Sequence, residues 1–248
     1  MNLDEICKQT RNDILTMTTE AGSGHPGGSL SCVEILVALY YKVMQPEDVF
    51  ILSKGHAAPA LYSVLSQKGV IPRTELHTLR KLGGLQGHPV KGSGITVSTG
   101  SLGQGLSIAC GIALARKLDK KEGTVYVLLG DGECQEGMVW EAAMYASHMK
   151  LDNLVAIVDY NGWQIDGKTT MIFNLRAKWK SFGWDTSETF RGNDIDYILS
   201  NFSFVETDGR PTVIIANTVK GAGVKKMEGK NEYHGKVLTH AELQRCLL

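Results

Sequence analysis

Apolar residues recur at the spacing of amphipathic or buried helices over Ile6 to Thr19, Cys32 to Val43, Ala57 to Gln67 and Leu106 to Leu118. Three other runs, Thr124 to Leu129, Leu154 to Val158 and Thr212 to Ala216, are continuous in aliphatic and β-branched residues and end on Gly, Asp or other polar positions. That pattern predicts strands buried on both faces, as in a parallel sheet. Between the first two strands lies Met138 to Met149, with Trp140, Ala143, Met144 and Ser147 at the spacing of one helical face, so a strand-helix-strand unit is expected. Such units build an α/β fold: a doubly wound, mostly parallel sheet flanked by helices. The glycine-dense stretches Leu82 to Gly105 and Gly221 to Gly235 read as loops of that fold, and with no repeat or low-complexity tract residues 1–248 are expected to form one domain.

Composition narrows the function. A 43% hydrophobic content over 248 residues suffices for a large core. Lys plus Arg and Asp plus Glu both total 26, so no net field draws the chain to nucleic acid or to an anionic membrane surface, and charge must act locally. Cys7, Cys32, Cys110, Cys134 and Cys246 are widely spaced and form no CxxC pair, which predicts reduced structural thiols. The N-terminus, MNLDEICKQTRNDIL, is acidic and helically spaced where a secretion signal would be basic and then apolar. No stretch approaches the ~18 apolar residues of a membrane span, so a cytoplasmic location is expected.

In an open parallel sheet, ligands sit beyond the carboxyl ends of the strands, where Gly130-Asp131-Gly132 follows one predicted strand and Asp159-Tyr160-Asn161-Gly162-Trp163 closes the next. Asp131 and Asn161 therefore share one edge. One carboxylate, one amide and one backbone carbonyl, completed by diphosphate oxygens and water, form a shell that suits Mg²⁺. Gly-Asp-Gly alone is also an ordinary turn. Thr99 to Gly105 precedes a helix and reads either as a phosphate cradle of backbone N–H groups or as a plain helix start. His25, His56 and His88 sit in Gly- and Pro-flanked loops, either as separate turns or as one polar pocket, and His234 follows the glycine- and lysine-rich segment that begins at Lys220. Lys220 reads equally as an anion ligand or as part of a solvated loop. Glu136 reads as complementing the dipole of the helix it precedes.

Taken in order, SGHPGG, SKGHAAPALY, GLQGHP, STGSLGQGL, GDGECQEG, VDYNGWQIDG and KGAG followed by YHGK resemble transketolases, specifically their thiamine diphosphate-binding domain of the diphosphate type, from about His25 to Lys236. The resemblance implies Mg²⁺, or Ca²⁺ or Mn²⁺ in its place, on Asp131, Asn161 and the carbonyl of Trp163. It implies thiamine diphosphate against His56, Gly100, Ser101, Leu102, Gly132, Lys220 and His234. It also implies catalytic roles for His25, His88 and His234 along the substrate channel and for Glu136 at a subunit contact. Gly28 stands where some members place a serine beside the cofactor, leaving adjacent Ser29 as a replacement.

Full-length members continue into pyrimidine-binding and C-terminal domains. The resemblance therefore implies that the partner is a C-terminal transketolase subunit, in a heterotetramer acting on sugar phosphates. The implied reaction moves a two-carbon ketol unit from a ketose phosphate to an aldose phosphate. Alternatives are a component of another thiamine diphosphate C–C bond-forming synthase, or a non-catalytic cofactor- or partner-binding protein. A nucleotide-binding Rossmann domain would need a G-x-G-x-x-G after its first strand, which is missing here.

Overall fold

A computed structural model describes residues 2–169, 174–205 and 208–248. Helices α1 (Leu3–Glu20), α2 (Pro26–Leu30), α3 (Val33–Ala38, continuing into a π turn at Leu39–Val43) and α4 (Ala58–Gln67) surround strand β1 (Val49–Leu52) in the first quarter of the chain. Then follow α5 (Gln104–Leu118), β2 (Val125–Gly130), α6 (Gly137–His148), β3 (Leu154–Tyr160) and a two-residue ribbon, β4 (Trp163–Gln164) with β5 (Gly167–Lys168). The last elements are α7 (Leu175–Ser181), β6 (Asp185–Thr189), α8 (Ile195–Phe202), β7 (Thr212–Asn217) and α9 (His240–Cys246).

The main sheet has five strands in the order β1-β2-β3-β7-β6, all parallel. Side chains alternate between its faces with period two, and both faces are apolar because both are covered. Tyr126, Leu128, Val155, Ile157, Ile214 and Ala216 pack on one side with α1, α3, α4 and α8. Val125, Val127, Leu129, Leu154, Ala156, Val158, Val213 and Ile215 pack on the other with α5, α6 and α7. This is the doubly wound α/β architecture expected from the sequence, and the β2-α6-β3 unit is present.

The predicted face of α6 needs correction. Its buried residues are Val139, Ala142, Ala143 and Ala146, whereas Met144 is 54% exposed. The small side chains lie where α6 packs closely against α5, which leaves no room for longer ones, and the larger Met138, Met144 and Tyr145 turn outward.

All five cysteines are unpaired, and burial pushes the thiols of Cys7, Cys32 and Cys110 up to about 12, leaving them protonated and unreactive. Among the described residues no helix is long and apolar enough to cross a membrane.

Candidate functional site

β2 and β3 run in register from Val125 opposite Leu154 to Gly130 opposite Asp159, so the residues that follow them leave the sheet at the same edge. Asp131 joins the two departing loops. Its carboxylate accepts the N–H of Gly132 at 3.0 Å, the N–H of Gly162 at 2.6 Å and the hydroxyl of Thr169 at 3.3 Å. The group is 1% exposed, and burial, then the neighbouring charge of Asp159, pushes its pKa up to about 6. The Asn161 amide is oriented from both ends: its Oδ1 accepts from Trp163 N–H at 3.1 Å and its Nδ2 donates to Ser31 Oγ at 3.3 Å. A carboxylate held ionised against burial gains from a hard cation. Among the described residues no three of His, Cys, Asp or Glu gather into a complete metal cage. A cation on Asp131 and Asn161 therefore draws its remaining oxygens from backbone, water or an anionic ligand.

Two buried ammonium groups lie close by in contrasting states. Lys54 is 1% exposed and donates to the carboxylate of Asp159 and, at 2.9 Å, to the carbonyl of Gly28. Burial, the largest single influence, lowers its pKa, but the charge and hydrogen bond of Asp159 together with Cys32 and Asp131 outweigh it and raise the pKa overall. Lys220 is equally buried yet has only neutral partners among the described residues, Asn231 Oδ1 at 3.1 Å and His234 Nδ1 at 3.0 Å. Burial and the repulsion of Lys54 bring it down to about 8, against the pull of Asp131 and Asp159. A buried cation without a carboxylate is a receptor for an anion. The donor set on the two sides of the cleft thus fits a metal-bound diphosphate.

Four imidazoles close the cleft, whose volume is about 370 Å³. The ring of His25 lies 5.5 Å from that of His56, 6.2 Å from His88 and 5.4 Å from His234. An ammonium only donates, so His234 Nδ1 accepts from Lys220 and carries its proton on Nε2. Burial, followed by Arg80, His88 and Lys220, lowers His25 to about 4. Burial and Lys220 bring His234 to about 4 as well, burial and Lys54 hold His56 well below the ordinary range, and burial with Arg80 lowers His88. All four rings are neutral at pH 7, each with one donor and one acceptor nitrogen. His25 Nδ1 is buried without a hydrogen-bond partner among the described residues, a nitrogen left for a bound molecule.

The loop before α5 enters the helix with one backbone N–H already taken. Gly103 is the N-cap, at φ +84°, and its N–H donates to Glu133 Oε1 at 2.9 Å. Glu133 also accepts from Gly130 N–H at 3.0 Å and from the Ser53 hydroxyl. A buried internal carboxylate therefore occupies the start of α5, and Glu133 ties this loop to the ends of β1 and β2. Gly100 and Leu102 line the cleft; Ser101 lies outside it, its Oγ accepting from Gln104 Nε2 at 3.2 Å. Gly132, Trp163 and Glu136 line it, with Glu136 as the N-cap of α6 but making no capping bond through its side chain.

Ser29 does not reach the cleft: it is fully buried and donates to His25 O at 2.9 Å within its own turn. Gly28 does line it, and a Cβ there would come to 3.0 Å from His56 Nε2. Lys54, Glu133 and Ile165 border the cleft as well, beyond the residues expected from the sequence. The first two stand inside SKGHAAPALY and GDGECQEG, where a signal is present; Ile165, 72% exposed, offers none beyond its place after Asn161.

Known proteins share this sequence pattern and fold. The family described as "Transketolase, thiamine diphosphate binding domain" matches residues 4–246. The chain is 40% identical over 255 residues to one of the subunits of the apulose-4-phosphate transketolase of Phocaeicola vulgatus, covering 97% of this chain and 90% of that one. It is 44% identical over 234 residues to a 6-deoxy-6-sulfo-D-fructose transketolase subunit from a Clostridium species, covering 88% and 85%. Against the transketolase of Homo sapiens identity is 41% over 95% of this chain but only 40% of that protein. The transketolase structure from Leishmania mexicana superposes with a TM-score of 0.91 at 27% identity, over 98% of this chain and 40% of that one.

Proposed function

The chain belongs to the transketolase family as its thiamine diphosphate binding domain, and from that premise we propose that it is the cofactor-holding subunit of a two-chain transketolase. Its reaction is the transfer of a two-carbon ketol unit from a ketose phosphate to an aldose phosphate. The observation that carries this reading is the single cleft in which Asp131 and Asn161 stand near Lys220 and four neutral imidazoles. Asp131, Asn161 and the carbonyl of Trp163 would hold Mg²⁺, or Ca²⁺ or Mn²⁺ in its place. Lys220, His56, His234, Gly132 and the backbone of Gly100 to Leu102 would receive the diphosphate. When bound, thiamine diphosphate supplies the electron sink for carbon–carbon cleavage. His25 and His88, neutral at working pH, orient sugar hydroxyls and accept or return protons at their free nitrogens, while His234, whose Nδ1 is taken by Lys220, donates from Nε2.

Relatives of nearly the same length are named as subunits, which supports a partner chain, and so does the rim of the cleft. Leu102, Met138 and Ile165 are 37%, 42% and 72% exposed. Glu136 lies among them: a Cβ on Gly103 would meet Glu136 Cβ at 2.9 Å and Met138 Cβ at 3.6 Å. Exposed apolar side chains beside Glu136 suit a protein partner bearing the pyrimidine-binding domain, in a cytoplasmic heterotetramer. The test is capture of the partner from native cells with thiamine diphosphate and Mg²⁺, followed by reconstitution. The expected result is no ketol transfer by either chain alone and activity that saturates at a fixed ratio of the two. Activity that survives Asp131→Ala in the mixture overturns the catalytic reading and favours a cofactor-binding role.

A further inference from the structure

His25 and His88 stand on loops of the same build, Ser23-Gly24-His25-Pro26 and Gln86-Gly87-His88-Pro89. These loops are far apart in the chain, and Arg80 spans them. Its Nη1 donates to Ser23 Oγ at 2.9 Å. Its guanidinium packs against Gly87, where a Cβ would meet Nε at 2.7 Å and Nη2 at 2.9 Å, so any larger residue there would displace the guanidinium. The arginine is itself held in an unusual backbone state. Its φ is +60°, in the left-handed region that costs a non-glycine residue ~1–2 kcal/mol, and its N–H closes the loop on Leu85 O at 2.6 Å. No carboxylate pairs with the guanidinium among the described residues, although it lies on the surface beside the mouth of the cleft.

We propose that Arg80 is a positioning residue for the reaction, spanning the loops of His25 and His88 so that the two imidazoles address the same part of the cleft. The chemistry these imidazoles perform rests on the transketolase reading; the bridge itself does not. A positive charge so placed also opposes protonation of both rings. After burial, Arg80 is the next cause lowering each of them, with His88 and Lys220 adding to its effect on His25, whose ring also faces His56 and His234. Removing the guanidinium therefore raises both pKa values. If activity requires neutral rings, its acid limb moves to higher pH.

The test is a histidine NMR titration of the labelled chain as wild type, Arg80→Gln and Arg80→Lys, with His240 as an internal control, alongside pH–rate profiles of the reconstituted enzyme. In Arg80→Gln the His25 and His88 midpoints should rise by about 0.5–1 pH unit, a size typical of losing one nearby charge, while His240 stays in place. The acid limb of kcat should move with them. Arg80→Lys keeps the charge but not the planar fork against Gly87, so its midpoints should stay low while kcat falls about tenfold from lost alignment. Unchanged midpoints and an unchanged acid limb in Arg80→Gln overturn the proposal, even if thermal stability drops. Shifted midpoints in a pair that shows no ketol transfer would instead uphold the Arg80 bridge and refute the assigned reaction.

Discussion

Asp131→Ala should lose Mg²⁺-dependent retention of thiamine diphosphate, by a hundredfold or more in affinity, while the cofactor-free chain unfolds at nearly the wild-type midpoint. Two opposing terms keep the fold intact. A carboxyl whose pKa is moved from 3.8 to about 6 costs the native state roughly 3 kcal/mol once ionised, and alanine removes that cost. Against it stand the bonds from Gly132, Gly162 and Thr169, worth ~1 kcal/mol each. Affinity has no such compensation, because a cation loses its charged ligand. The pH dependence follows from the direction of the shift. The native state binds this proton more tightly than the unfolded chain, so the stability of the cofactor-free protein declines as pH rises from about 4 through 6. Cofactor binding runs the other way: it needs the carboxylate and should weaken about tenfold for each pH unit below 6. Titration calorimetry at pH 7.5 and pH 5 on wild type and variant checks the affinity, thermal unfolding at the same pH values checks the stability, and unchanged affinity in the alanine variant removes Asp131 from the metal site.

Legibility in the sequence follows burial. β2, β3 and β7 lie inside the sheet and show as unbroken aliphatic runs, within about two residues of their observed ends. β6, Asp185-Thr186-Ser187-Glu188-Thr189, is a polar edge strand joined to β7 through its backbone, which no side-chain pattern reports. β1 is a four-residue strand at the other edge, too short to stand out. The same distinction holds in the site. Asp131 and Asn161 are readable together because parallel register sends the ends of neighbouring strands to one edge. Lys54 is not, since its partner Asp159 lies 105 residues away and a lysine between serine and glycine looks solvated. Glu133 reads as part of a turn until the fold brings Gly103 and Ser53 to it. Ser29 misleads because the next residue of a helix points about 100° round the axis from Gly28, where its hydroxyl bonds backward to His25 O.

Lys54→Met should be the most damaging substitution to stability near the cleft. Asp159 is fully buried and accepts from Lys54, from Ser31 Oγ at 2.6 Å and from the Thr218 hydroxyl. Removing the ammonium leaves a carboxylate in the interior with hydroxyl donors but no countercharge, a loss of about 3–5 kcal/mol where buried pairs are broken from one side. That is a large part of the ~5–15 kcal/mol holding a typical domain together. Removing both charges together would be milder, so Lys54→Met combined with Asp159→Asn should recover more than half of the loss, the amide still serving Ser31 and Thr218. Urea unfolding at pH 7 decides it: a single variant losing under about 1 kcal/mol, or a double variant no better than the single, refutes the pairing argument. The recovered fold should nonetheless bind cofactor poorly. Lys54 also holds the Gly28 carbonyl, and Gly28 packs beside His56; Asp159 fixes Ser31, to which Asn161 Nδ2 donates. Rescue of stability without rescue of cofactor affinity would mean that this buried pair serves chiefly to align the cleft, since an uncharged pair can hold the fold but leaves the Gly28 carbonyl without the Lys54 ammonium.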